Sequence, residues 1–196
     1  GMEFDKEYMF ILICLQEDFD KYDFTEFEKV IGHNSYDVII LDDVTEGAAQ
    51  TILQAKDLIN DDTPLMTMNS DQLVDWDIER LFEMCEQFDG VIPCFYGEGN
   101  AWSYARTLDN GYVQEVAEKK VISNNATAGY YYWKRGSDFV KYAEQMIEQN
   151  SRTNGEFYVA PVYNWAISDG KKVGICMVDK IYELGTPEYL EEYLNG

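Results

Sequence analysis

Apolar residues in this chain fall into short unbroken runs, separated by charged stretches in which they recur every three or four positions. The runs at residues 9–14 (MFILIC), 37–41 (DVIIL), 65–68 (LMTM), 90–95 (GVIPCF) and 172–178 (KVGICMV) predict buried strands. In residues 17–31 the positions of Phe19, Tyr22, Phe24, Phe27, Val30 and Ile31 suit short helices. Thr45 is placed to cap a helix whose stripe is Ala48, Ile52, Ala55 and Ile59, and a second stripe of Ile78, Leu81, Phe82 and Cys85 follows Asp77. Phe139, Ala143, Met146 and Ile147 mark a helix over 136–149, residues 157–167 suggest another, and Thr186, Pro187 and Glu188 open a last one. Strand and helix alternate, which predicts an α/β fold with a mostly parallel sheet and helices on its faces.

The alternation breaks once. Residues 102–108 and 112–116 flank Asp109-Asn110-Gly111, and an Asn-Gly turn between strand-like runs predicts a β-hairpin. An aromatic strand over 127–133 follows, in which Gly129 marks a close backbone approach.

The stretch that organises the rest is 64–77, PLMTMNSDQLVDWD, where a strand delivers Asn69-Ser70-Asp71-Gln72 at its end. Ligands of open α/β sheets sit beyond the carboxyl ends of the strands, so an acid at a strand tip is placed to hold a metal and, through it, a phosphate. The plainer reading is that Asp71 caps a turn. Asp42-Asp43 at another strand tip admits the same two readings, metal site or solvated loop start. Gly47, Ala48 and Ala49 leave a helix start free of bulk, either for a flat ligand or for close packing.

Composition narrows the chemistry. At 196 residues and 46% hydrophobic content the chain suits one core, and a single domain over 2–196 is expected, with Gly1 before Met2 as a tag remnant. A formal charge of −22 opposes nucleic acid and anionic membrane surfaces, and a phosphorylated ligand would need a divalent metal beside it. The longest apolar run, residues 9–15, is too short to cross a bilayer, and the acidic, polar residues 1–8 do not form a signal peptide. Cys14, Cys85, Cys94 and Cys176 form no CxxC pair, so buried free thiols in a reducing cytoplasm are expected rather than a zinc site or a disulfide framework. The lone His33 reads as a surface loop residue.

Four motifs occur in fixed order: TEGAA (45–49), NSDQ (69–72), VAEKK with ATAGYYYW (116–120 and 126–133), and YELGTPEYL (182–190). Together they resemble the sugar-1-phosphate nucleotidyltransferases, the NDP-sugar pyrophosphorylase family, over nearly the whole chain. The resemblance implies a Rossmann-like three-layer sandwich of the nucleotide-diphospho-sugar transferase type, with the hairpin inserted. It implies that Gly47, Ala48 and Gln50 lie against the nucleotide base, and that Asp71 and Glu183 bind catalytic Mg2+. It further implies that Glu118 meets sugar hydroxyls, Lys119 the sugar phosphate, and Gly129 the sugar. The expected activity joins a nucleoside triphosphate and a sugar 1-phosphate into an NDP-sugar for surface polysaccharide. Two anions meet in that reaction, so positioning and charge neutralisation carry it without a covalent nucleophile.

The chain departs from the family pattern at three places. Lys120 stands where a proline usually follows Glu-Lys, and Glu183 stands where an Asp is common. The family's opening strand, its G-x-G-x-R loop and the Lys-Pro after it have no counterpart in residues 1–8, and the strand at 9–14 matches the family's second. Backbone amides and an Arg cannot be replaced by an acidic peptide, so this chain alone is expected to be impaired in triphosphate binding. A competing expectation is a non-catalytic protein that binds a sugar phosphate or NDP-sugar, with an oligomer or partner chain covering the place of the first strand. A third is a glycosyltransferase of the same architecture, for whose Asp-x-Asp tip Asn69-Ser70-Asp71 supplies half.

Overall fold

The computed structural model describes residues 8–23, 25–32 and 35–195. The expected tag remnant at Gly1, the apolar position of Phe24 and the loop position of His33 lie outside the described residues, as does nearly all of the 1–8 segment.

Two parallel strands, β1 (Met9–Leu15) and β2 (Ser35–Leu41), open the fold around the short helices α1 (Gln16–Lys21) and α2 (Thr25–Ile31). After α3 (Ala48–Leu53) and α4 (Lys56–Ile59) come β3 (Leu65–Met68), β4 (Gln72–Asp75), α5 (Ile78–Gln87) and β5 (Gly90–Tyr96). The expected hairpin is β6 (Ser103–Thr107) with β7 (Val113–Glu118). The chain then runs through β8 (Asn125–Thr127), β9 (Tyr130–Trp133), α6 (Gly136–Glu148) and α7 (Val162–Ser168). It closes with β10 (Val173–Met177), β11 (Lys180–Glu183) and α8 (Pro187–Asn195).

Side chains that alternate along the central strands divide between two apolar clusters. Ile92, Leu65, Tyr131, Trp133 and Val173 join Phe139, Ala143 and Met146 of α6 and Tyr163 and Ala166 of α7 on one face. Val91, Met66, Tyr132 and Cys176 join Leu81 and Cys85 of α5 on the other. Helices therefore cover both faces, as a three-layer α/β sandwich requires. Trp133 and Tyr163 stack at 4.1 Å with 9° between their planes, a contact worth about 1 kcal/mol beyond its buried area. The phenol of Tyr163 donates to the Tyr132 carbonyl at 2.7 Å.

The sheet is mixed, but the expectation that it is mostly parallel needs correction. Among the described residues β1–β2 and β5–β10 pair parallel, and the other ladders are antiparallel. Parallel neighbours need a long crossover, which α5 provides between β3 and β5, yet β9 lies between those two strands and runs against both.

Other expectations shift in register. The N-cap of α3 is Gly47, not Thr45, whose hydroxyl instead meets the Gly47 carbonyl at 3.1 Å and the Thr51 hydroxyl at 2.6 Å. The single helix expected there breaks after Leu53, where Gln54 and Ala55 bond to residues only three positions back. Ala49 rather than Ala48 is buried. The aromatic strand is interrupted at Gly129 (φ +76°), which lets the chain turn between β8 and β9. The helix expected from 157 begins at Val162.

Three of the four cysteines are buried and none of the four is in a disulfide. Among the described residues no helix is long and apolar enough to cross a membrane. One strand stands out: β1 is apolar at every position yet buried at none, whereas β5 is buried at its first five.

Candidate functional site

The turn after β3 carries Asp71 into a two-stranded ladder that sequence patterning did not predict. β4 pairs antiparallel with β11, setting Glu183 opposite Gln72, and the Leu184 amide donates to the Asp71 carbonyl at 2.7 Å. The Asp71 carboxylate lies against Gly185, its Oδ2 2.7 Å from where a Cβ would stand. Loss of water, then the charge of Asp71, raises the Glu183 carboxyl above its ordinary range. Two acids from distant parts of the chain thus come to one end of this ladder, where the charge of Asp71 acts on Glu183.

Among the described residues no group of three or more His, Cys, Asp or Glu side chains converges on one point. Magnesium characteristically takes one or two carboxylates and completes its shell with water and substrate phosphates, so the Asp71–Glu183 pair fits it.

Gly129 packs on the same turn. Its carbonyl accepts from the Asn69 amide at 2.9 Å, and the space beside its Cα is filled by the Gln72 side-chain amide. Asn69 Nδ2 donates to Gln72 Oε1 at 3.1 Å, and the Tyr130 phenol donates to the Gln72 carbonyl at 3.1 Å. Asn69 and Gln72 belong to the NSDQ motif, yet no role for them was legible in the sequence.

Glu118 ends β7 opposite Ser103, whose hydroxyl donates to its carboxylate. Burial raises the Glu118 carboxyl; the Ser103 hydrogen bond and the Lys119 charge oppose that, and Glu156 adds to it. Lys119 has a left-handed backbone (φ +52°) fixed by its amide donating to the Trp102 carbonyl at 3.0 Å. Its ammonium donates to the Tyr158 phenol oxygen at 2.7 Å. Buried Tyr131, two residues past Gly129, shares a hydrogen bond with Thr127 at 2.9 Å and feels the Glu118 charge. β9 is therefore the element that relates Gly129 to Glu118.

The TEGAA loop is fastened to residue 157. Gly47 (φ +139°) lies so close to Phe157 that a Cβ would stand 2.5 Å from its backbone nitrogen and oxygen. Phe157 donates to the Glu46 carbonyl at 2.9 Å and accepts from the Ala49 amide at 3.0 Å. Gln50 Oε1 accepts from the Glu46 amide at 2.7 Å, so this side chain braces its own loop. Of the small residues here, Ala48 is exposed while Ala49 is buried. Close packing therefore accounts for Gly47, and Ala48 offers the loop's accessible face. Asp42 and Asp43 remain exposed.

The family model described as nucleotidyl transferase matches residues 10–192. No curated protein matches the chain in sequence. The nucleoside-diphosphate-sugar pyrophosphorylase of Vibrio cholerae RC9 is similar in structure, with TM-score 0.78 and 22% identity over 96% of this chain and 81% of its own. A Bacillus anthracis protein assigned as a glucose-1-phosphate thymidylyltransferase, solved with sucrose, gives TM-score 0.71 and 16% identity over 93% of this chain and 73% of its own. A UDP-glucose pyrophosphorylase complexed with UDP-glucose gives TM-score 0.71 and 14% identity over 95% of this chain and 80% of its own. At these identities the structural likeness is one of fold, and the family model matched along almost the whole chain completes it: the protein belongs to the nucleotidyl transferase family.

Proposed function

We propose that the chain is a sugar-1-phosphate nucleotidyltransferase-like protein that handles nucleotide sugars. The observation that carries this reading is the meeting of Asp71 and Glu183 across the β4–β11 ladder, beside the turn on which Gly129 packs. In the reaction, a phosphate oxygen of the sugar 1-phosphate attacks the α-phosphorus of a nucleoside triphosphate. One P–O bond forms, the bond to the β-phosphate breaks, and diphosphate leaves.

Each residue has a part in this reading. Asp71 and Glu183 would hold magnesium, which when bound would supply charge neutralisation where two anions meet. Lys119 presents an ammonium to the sugar phosphate, Glu118 accepts from sugar hydroxyls, and Gly129 lets the sugar approach the backbone once the Gln72 side chain moves aside. Gly47, Ala48 and Gln50 shape the loop that faces the base. The product is an activated sugar, of the kind used in surface polysaccharide, made in the cytoplasm.

Calorimetric titration tests it: magnesium with a panel of nucleoside triphosphates, then sugar 1-phosphates and NDP-sugars, each against Asp71→Ala with its fold checked by circular dichroism. Magnesium-dependent triphosphate binding that disappears in the variant would support this reading and overturn the expectation that this chain alone is impaired in triphosphate binding. Binding unaffected by the substitution would remove Asp71 from the site.

A second reading is a non-catalytic protein that retains a sugar pocket and takes a partner. What favours it is β1, which is apolar throughout, only partly buried and, among the described residues, paired along one edge only. Such an edge accepts a strand from another chain. Silence with triphosphates together with binding of a sugar phosphate would favour this reading over the first.

A further inference from the structure

Lys119 is held in a way that a solvent-exposed lysine rarely is. A left-handed backbone strains a residue with a side chain, and here φ is +52° in the residue directly after Glu118. The ammonium does not swing free: besides its 2.7 Å bond to Tyr158, it sits 4.9 Å from the centroid of the same ring. A lysine side chain has much rotamer freedom to lose, so a partner that takes up that freedom beforehand turns a loose charge into a placed one.

Tyr158 is itself anchored through its neighbour. Phe157 is buried, exchanges backbone hydrogen bonds with Glu46 and Ala49, and lies under the Arg152 guanidinium at 3.9 Å. Arg152 also reaches the Glu46 carboxylate at 3.0 Å and the Gly155 carbonyl at 2.9 Å. One short segment therefore grips the TEGAA loop at Phe157 and the Lys119 ammonium at Tyr158.

We propose that Tyr158 is the positioning residue for Lys119, and that through Phe157 it couples the place of that ammonium to the loop carrying Gly47 and Ala48. This rests on the reading of Lys119 as the cation that meets the sugar phosphate. Because the phenol oxygen and the ammonium are in contact, a phosphate oxygen bound to one is within reach of the other. A ligand that stiffens the TEGAA loop also stiffens the support of Lys119, and the reverse holds by linkage.

The groups acting on Lys119 are Tyr158, Glu118 and Glu156. All three raise its hold on a proton, the Tyr158 hydrogen bond most, while its slight burial works the other way. Tyr158→Phe keeps the ring and removes the hydroxyl. The test is site-resolved acylation of lysines by acetic anhydride, read by mass spectrometry across an alkaline pH series without ligand.

In the variant the Lys119 profile is expected to move to lower pH, with its rate at a fixed pH rising about threefold, while Lys56, Lys141 and Lys171 stay unchanged. An unmoved Lys119 profile overturns the positioning role, and so does an equal rise at all four lysines, which would report a loosened fold. Arg152→Ala is expected to move Lys119 in the same direction by less, and no movement overturns the coupling. Repeating the series with glucose 1-phosphate separates the two layers. Protection of Lys119 supports the proposal together with its premise; a moved profile in Tyr158→Phe without protection supports the positioning role and overturns the sugar-phosphate reading.

Discussion

The side-chain oxygen of Gln72 occupies the space that a Cβ on Gly129 would need. The obstruction is the free end of a flexible side chain, so it can move; the left-handed backbone at Gly129 (φ +76°) cannot be relieved so easily. At Gly47 the position is reversed, because the atoms 2.5 Å from a Cβ there belong to the Phe157 backbone and φ is +139°.

Gly129→Ala is therefore expected to lower stability by about 1–2 kcal/mol, and Gly47→Ala by about 3 kcal/mol or more. Urea unfolding of the two variants measures the difference. Equal losses would contradict the distinction between a yielding neighbour and a fixed one.

Glu183 gives a pH dependence with a defined sign. Its folded-state carboxyl binds a proton more readily than the ordinary glutamate value of 4.5, owing to burial and then to Asp71. The native state thus holds more proton than the unfolded chain in this window, and the contribution of Glu183 to stability falls as pH rises from about 4.5 through the raised value. Glu183→Gln is expected to stabilise the metal-free protein at pH 7 and to lose that advantage on acidification below about 4.5. Thermal unfolding of both proteins across pH decides it, and a gain that persists in acid would refute the account.

Asn164 supplies a third test. Its side chain donates to the Val116 carbonyl at 2.7 Å and accepts from the Val116 amide at 2.8 Å, closing the ladder of β7 where no strand among the described residues does so. Val116 is 2% exposed, so Asn164→Ala leaves a buried donor and acceptor unpaired together. A loss of about 3 kcal/mol in chemical unfolding is expected, and a loss below about 1 kcal/mol would show that water replaces the amide.

Elements whose signals are local were legible in the sequence. The strand at 65–68 emerged as expected, the α5 stripe likewise except at Phe82, which is exposed, and Asp77 caps α5 by accepting from the Glu79 and Arg80 amides. Thr186 accepts from the Tyr189 amide at 3.3 Å at the start of α8, as its spacing before Pro187 implied. What was not legible depends on contacts across long stretches of chain. QLVD at 72–75 and KIYE at 180–183 are too short and too polar to declare themselves, and each is a strand because the other is there. Tyr158 gave no signal either, since its importance lies in Lys119, thirty-nine positions away. Thr45 was read as a cap by residue type, and the outcome was set instead by the approach of Phe157, which only a glycine at 47 allows.

The β4–β11 ladder also has a bearing on time. A chain growing from the ribosome carries β4 long before β11 has been made, so residues 72–75 have no strand to pair with until residues 180–183 emerge. Once both exist, their ladder works as a clasp. It fastens β11 to β4, and with β11 comes α8, whose Tyr193 packs edge-on to Tyr182 at 5.1 Å. The pairing of β4 with β11 thereby governs how firmly α8 is held, and how readily a protease can release it.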